Sequence, residues 1–319
     1  MISLVITVKN EKENLVFWFE SINKQSKKPS EIVVVDGGST DGTWEFLQTK
    51  SNESIKVFQE FGNISKGRNY AIKKAKGDII VVTDAGCIYD KDWFEKIIAP
   101  ILNEDKEFTT TAFAPWIKKE DNFVVMLIAS STMPRKKEFL KNNWHPSSRS
   151  IAFKKYLWEK VGGYPEWIPI CEDVIFDLKI EKLVKIERIN ELLVFWAPRK
   201  TLKSYFKQLY KYTKSDGHGK LHTERHLIRY SIYLFSLVLL ILSFELSFNY
   251  LSILFLGMVL YMNKFWLRWF EFTGEKNKLY IFCGIPFVVF VVVMGDIAKL
   301  CGYPVGVFER LKGKVKFEK

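Results

Sequence analysis

The first hundred residues alternate between short apolar runs and segments in which apolar residues recur every three or four positions. Residues 2–8, 32–35, 54–58 and 77–84 are strand-length runs, several of them rich in Val and Ile. Between them, "EKENLVFWFESINKQS", a stretch from about Asp41, residues 65–76 and residues 91–102 carry helical spacing. Apolar strands alternating with helices predict an α/β fold with a mostly parallel sheet covered on both faces. Beyond residue 108 the pattern loosens. "FTTTAFAPW" and "SRSIAFKK" read as strands, and residues 171–185 and 200–214 as helices.

From about residue 226 the character changes. Residues 230–244, 246–263 and 279–295 contain no Asp, Glu, Lys or Arg, and each approaches the roughly 20 residues that cross a hydrocarbon core. This predicts a soluble domain over 1–225 and a membrane domain over 226–319. The opening "MISLVITV" has no basic leader and reads as a strand, so the first domain is expected in the cytoplasm. Three crossings would carry the basic tail "ERLKGKVKFEK" outward, against the preference of positive charge for the cytoplasmic side. Two spans are therefore expected. The third apolar segment, interrupted by Pro286 and carrying Asp296 and Lys299, reads as re-entrant, interfacial or spanning. Asp296 itself reads as a helix-end acid near the headgroups.

Residues 200–214 place Leu202, Tyr205, Phe206, Leu209 and Thr213 on one helical face and lysines 203, 207, 211 and 214 on the rest, as in a helix lying on a bilayer. "SDGHGKLHTERH" follows as a polar loop. The net charge of +12 fits nucleic acid or an anionic membrane with phosphorylated substrates. The apolar segments favour the second, and no zinc-finger or RNA-recognition signature competes. Four cysteines without CxxC spacing read as reduced, structural thiols.

The chemistry gathers where strands end. In "VVVDGGSTDGT" the strand breaks at Asp36 into glycines and hydroxyl residues, and "IIVVTDAG" ends likewise at Asp84. In a parallel sheet both tips face one edge, where ligands bind. Carboxylates with glycine-rich turns suit a sugar nucleotide, whereas GxGxxG after the first strand and GxxxxGK[ST] are both absent.

Over residues 2–215 the order of these motifs resembles the family 2 glycosyltransferases, with the A-type nucleotide-diphosphosugar fold. The resemblance rests on "ISLVITVKNEKENL", "VVVDGGSTDGT", "KGRNYAIKKAKGDIIVVTDAG" and "VGGYPEWIPICEDVIFDLKI", with "QLYKY" near the Gln-x-x-Arg-Trp position of processive synthases. It implies that Asp36 hydrogen-bonds the base, a uracil N–H, while Thr7, Asn10 and Glu11 frame base and ribose. It places Arg68 near the diphosphate and Asp84 on ribose and a divalent metal, Mn²⁺ or Mg²⁺. Gly86 stands where the family carries the second acid of Asp-x-Asp, so Asp84 would hold the metal with help from His145 or His218, or share its role with Arg68 and nearby lysines. Asp173, preceded by Glu172, becomes the base that deprotonates an acceptor hydroxyl in a single inverting displacement. Gln208, Lys211 and Tyr212 would face the acceptor, although Lys and Tyr in place of Arg and Trp make processive synthesis doubtful.

The implied activity is transfer of a sugar from a nucleotide diphosphate, a UDP-sugar first, to a hydroxyl on a lipid-linked or membrane-proximal glycan. A polyprenyl phosphate acceptor, and non-catalytic nucleotide-sugar binding, are the alternatives. Each acid also has a plainer reading. Asp36 could cap a turn, Arg68 could be an exposed helix charge, and Glu172-Asp173 could be first-turn acids favoured by the helix dipole.

Overall fold

The computed structural model describes residues 1–118, 121–139 and 144–315. The last four residues of the basic tail lie outside them. The chain forms two compact units. One comprises the described residues of 1–116 and 134–197, the other those of 117–133 and 198–315. The division into compact units falls after Ala197, and residues 117–133 join the second unit.

The first unit is built on eight strands: β1 (Ile2–Val8), β2 (Glu31–Asp36), β3 (Ile55–Gln59), β4 (Ile79–Asp84), β5 (Cys87–Tyr89), β6 (Phe108–Pro115), β7 (Ser150–Lys154) and β8 (Glu187–Trp196). Their order is β3-β2-β1-β4-β7-β6-β8-β5. β1 to β4 run parallel, β7 is antiparallel to both its neighbours, β6 and β8 are parallel, and β5 closes the edge antiparallel to β8. The mostly parallel sheet is as the pattern predicted.

Alternate residues of β1 explain its two-sided burial. Leu4, Ile6 and Val8 pack with Leu15, Trp18 and Phe19 of α1 (Lys12–Asn23) and with Trp93, Phe94 and Ile97 of α4 (Trp93–Asn103). Val5 faces the opposite core, with Ala71 and Ile72 of α3 (Ile64–Lys74) and Phe176 and Ile180 of α8 (Glu172–Glu181). The sheet connections also include α2 (Thr43–Gln48), α6 (Lys136–Phe139) and α7 (Lys155–Lys160).

The second unit is helical. α5 (Phe123–Thr132) and α9 (Leu202–Gly219) pack with α10 (Thr223–Glu245), α11 (Asn249–Phe272) and α12 (Lys278–Leu311). α10, α11 and α12 are each long and apolar enough to cross a membrane. Leu234, Phe235, Phe244, Phe255, Leu256 and Leu260 point outward from α10 and α11, as expected where hydrocarbon is the solvent.

The polar run "SDGHG" is helical rather than a loop. α9 continues to Gly219, because α12 presents small residues that let the two backbones meet. A Cβ at Gly306 would lie 1.9 Å from the Lys214 carbonyl oxygen, so only glycine fits this crossing. Asp296 is not at a helix end. It is fully buried within α12, accepts hydrogen bonds from Tyr233 and Tyr261, and pairs with Lys299 at 3.0 Å. An internal carboxylate is tolerated there because cations and hydroxyls satisfy it.

Candidate active site

The parallel register brings both strand-tip acids to one edge: Val8 pairs with Asp36, and Thr7 with Asp84. Asp36 is fully buried. Its carboxylate accepts from the Gly38 and Ser39 amides at 3.1 Å each, from Gln59 Nε2 at 3.0 Å, and from the Ser39 hydroxyl. Three of these bonds fall on Oδ2 and one on Oδ1, so Asp36 folds the turn and keeps a lone pair on Oδ1.

The same turn is stitched to the one after β1. Ser39 Oγ accepts from the Asn10 amide at 2.8 Å, and Asn10 Oδ1 accepts from the Thr40 amide at 2.8 Å. The Glu11 amide donates to Thr43 Oγ1 at 3.0 Å. Asn10 adopts a positive φ of 56°, which Asn tolerates better than most residues. Thr7 Oγ1 is buried at this edge with no hydrogen-bond partner among the described residues.

Arg68 is buried beside Asp84 at this edge. Its side chain is 2 % exposed, with Nη2 on Asp84 Oδ1 at 2.8 Å and Nη1 on Glu172 Oε1. Its guanidinium carbon lies 5.4 Å from the Tyr164 ring centroid. Arg68 thus ties two acids together under the site rather than offering a free fork to a diphosphate. The neighbouring Asn69 explains the rest of the Gly-x-Arg-Asn run. Its amide accepts from the Tyr164 N–H and Trp158 Nε1 and donates to the Tyr164 carbonyl, holding the Gly162–Gly163 turn against α3. Gly163 has φ +76°, and a Cβ there would meet Asn69 Oδ1 at 2.8 Å.

Burial pushes the Glu172 carboxyl up to about 7. Arg68 pulls against this rise, and Asp173 adds to it. Asp173, half-buried in the first turn of α8, accepts from the Val174 amide at 2.9 Å and from Ser147 Oγ at 3.4 Å. One turn further on, Asp177 is buried, and neither carboxylate oxygen has a hydrogen-bond partner among the described residues. Burial raises its pKa well above the ordinary range, with Asp173 adding to the shift.

A raised folded-state pKa contributes stability that is complete below the unfolded value and is lost as pH rises through the folded one. Asp177→Asn removes that dependence. The variant is expected to gain about 1–3 kcal/mol over the wild type between pH 5 and pH 8, read by thermal unfolding in detergent. Parallel pH profiles for the two proteins would contradict it.

Around Gly86 the structure assembles residues that the motifs did not single out. β5 pairs Cys87 with Trp196 of β8. A Cβ at Gly86 would rest 3.8 Å from Trp196 Nε1. Across from Asp84, one position beyond the Thr83–Ser150 pair, Arg149 lays its guanidinium 3.9 Å over the Trp196 ring and donates to Ser147 Oγ at 2.7 Å. The Tyr89 hydroxyl ties the Asp84 and Arg149 backbones, accepting from the Asp84 amide at 3.2 Å and donating to the Arg149 carbonyl at 2.9 Å. β8 is easily missed in the sequence because "ERINEL" interleaves charges with apolar residues.

The donors for a metal are sparse. Asp84 commits Oδ1 to Arg68, and no set of three His, Cys, Asp or Glu residues gathers among the described residues. His218 is occupied by Glu309 at 2.9 Å in the helical unit, and His145, half-buried ahead of β7, completes no three-donor set with Asp84. One carboxylate oxygen flanked by a guanidinium does not fit a divalent cation held by the protein alone. Gln208 and Tyr212 bond to each other within α9 at 3.0 Å, and Lys211 is exposed.

Residues 3–159 match the profile of glycosyl transferase family 2. An O-antigen chain rhamnosyltransferase of Salmonella anatum is 25% identical over 205 residues, 59% of this chain and 64% of that protein. A dolichol-phosphate mannosyltransferase of Pyrococcus furiosus is 26% identical over 233 residues, 68% of this chain and 64% of that protein. The chain therefore spans somewhat less than two thirds of the length of these relatives. Among solved structures, a mannosyltransferase of Pyrobaculum calidifontis, in complex with GDP-Man and Mn²⁺, matches with a TM-score of 0.62 and 18% identity. The match covers 94% of this chain and 86% of that one.

Proposed function

Because the chain carries a family 2 glycosyltransferase domain, we propose that it is an inverting transferase moving a sugar from a nucleotide diphosphate to a hydroxyl on a lipid-linked glycan. The observation that carries this reading is the convergence of Asp84, Arg68, Glu172 and Asp173 at the carboxyl edge of the parallel sheet. Among the relatives, the name of the O-antigen chain rhamnosyltransferase points the same way, whereas that of the dolichol-phosphate mannosyltransferase points to the lipid-phosphate alternative. Three apolar helices support a membrane location, which suits an acceptor that lies in the bilayer plane. The catalytic domain, residues 1–225 with 200–214 lying at the interface, would work on the cytoplasmic side.

In this mechanism Asp173 takes the proton of the acceptor hydroxyl as that oxygen attacks the anomeric carbon. The bond from the anomeric carbon to the diphosphate breaks on the opposite face, which inverts the centre. The nucleoside diphosphate leaves with the bonding pair. Glu172 acts through Arg68, fixing its guanidinium so that Asp84 keeps one oxygen toward the donor. Asn10, Glu11 and the Asp36 turn frame the nucleoside through their backbone, with Thr7 Oγ1 as an unused hydroxyl at the same edge. UDP-sugars are the first donors to test and GDP-sugars the second, since the mannosyltransferase of similar fold was solved with GDP-Man. Gln208, Lys211 and Tyr212 are proposed on the acceptor side. Mn²⁺ accompanies the donor in that structure; in this chain no step is assigned to it.

The test is transfer of radiolabelled sugar from a panel of UDP- and GDP-sugars into extracted lipid-linked glycans by purified protein. Label in the lipid phase from one donor supports the reading, and none from any donor opposes it. A polyprenyl phosphate acceptor has its own signature, since it arrives without a proton to remove. Transfer would then not need Asp173.

A further inference from the structure

We infer that Phe61 stacks on the nucleobase of the donor, its ring laid against Gly38 in the turn that follows Asp36. The inference rests on the donor-site reading above and adds to it the contact that holds the base by its face.

β2 and β3 end side by side, with Asp36 paired to Gln59. Two positions further along each chain stand Gly38 and Phe61, and there the ring meets the glycine. A Cβ at Gly38 would fall 2.6 Å and 2.7 Å from two ring carbons of Phe61, and the glycine sits at φ +84°. Only glycine lets the ring lie down on this turn. Phe61 is nevertheless 66 % exposed. Part of the ring is thus spent on the turn, and the rest is open to a ligand.

A single exposed phenylalanine is common on protein surfaces. What sets this one apart is a backbone fixed on both sides of it. The Glu60 amide donates to the Asp36 carbonyl at 2.9 Å, and the Phe61 carbonyl accepts from Lys66 Nζ at 3.0 Å. Lys66 is itself held by Glu60 at 2.6 Å, and Gln59 is tied to the Asp36 carboxylate. The ring is therefore presented in place before any ligand arrives, which lowers the ordering cost of binding. A nucleobase suits it, because every base has a flat π-face and a polar rim. The sheet order sets the direction of the ligand. β3 and β4 are three strand spacings apart, about 14 Å. A nucleotide sugar with its diphosphate and sugar toward Asp84, on β4, turns its base to the β3 side, where Phe61 stands.

The test is titration calorimetry of the full chain in detergent with UDP and with GDP, comparing the wild type with Phe61→Ala and Phe61→Trp. For the nucleotide that binds, Phe61→Ala is expected to weaken affinity at least about fivefold, the low end of what one stacked base contributes. Neither ligand carries the donor sugar, so the loss belongs to the nucleotide itself. Phe61→Trp keeps the platform and is expected to stay within about threefold of the wild type, with its added indole emission quenched as the nucleotide saturates. Thermal unfolding should be the same for all three proteins, because the substituted side chain is exposed. A smaller loss in Phe61→Ala overturns the inference and leaves the donor site standing. So does a loss that Phe61→Trp shares, or an added emission that the bound nucleotide leaves unmoved. If neither UDP nor GDP binds the wild type, the donor-site reading falls and this inference falls with it.

Discussion

Replacing Asp173 by Asn is expected to lower the turnover number on a hydroxyl acceptor by about 10²–10⁴-fold, the range a positioned general base supplies. The amide is nearly isosteric, its oxygen can still accept from the Val174 N–H, and its NH2 can donate to Ser147 Oγ, so the first turn of α8 is kept. What it lacks is the basicity to remove a proton as the new bond forms. Donor binding should therefore be unchanged while turnover collapses. Initial rates alongside nucleotide titrations separate the two. A variant that keeps its rate would mean the acceptor oxygen arrives already charged, as a phosphate does, and the lipid-phosphate alternative would replace the hydroxyl reading.

The second large effect is on stability. Arg68→Met is expected to destabilise the first unit by about 3–5 kcal/mol, the usual cost of stripping the partner from a buried ion pair. Glu172 is 5 % exposed and has its carboxyl pushed up to about 7 by burial even with Arg68 beside it. Without the guanidinium its charged form is uncompensated, and the Asp84 pair is lost as well. A more strongly raised carboxyl pKa makes the folded state hold a proton that the unfolded chain releases. The deficit should therefore widen as pH rises through about 7 and shrink toward pH 5. Glu172→Gln in the same background should recover part of the loss, because no charge then remains buried. Thermal unfolding across pH checks each step. Equal losses at pH 5 and pH 8, without recovery in the double variant, would show that Arg68 acts through packing alone.

The strands of the parallel half were legible because apolar runs of Val and Ile between turn residues have few other ways to be buried, and six of eight strands followed from that pattern. β5 and β8 were not. β5 has three residues, and β8 carries Glu187, Arg188, Asn190 and Glu191, so neither shows the alternation a half-buried strand would display. The extension of α9 through "SDGHG" was hidden for a different reason. Glycine and polar residues argue locally for a loop, and only the close approach of α12 turns them into a packing surface. At the candidate site, the motif spacing singled out acids that the register brings to one edge, but not what they bond: Asp36 holds its own turn, and Arg68 joins Asp84 to Glu172. Arg149 and Trp196 gave no sequence signal, since pairings distant in the chain bring them to Gly86.

The central claim is that the edge defined by Asp36 and Asp84 receives a nucleoside diphosphate. Calorimetric titration of detergent-purified protein with UDP and with GDP tests this most directly, with Asp84→Asn as the comparison. Saturable binding of one of the two, weakened at least about tenfold in Asp84→Asn, is the predicted result. Binding of neither by a folded wild-type protein would contradict the account.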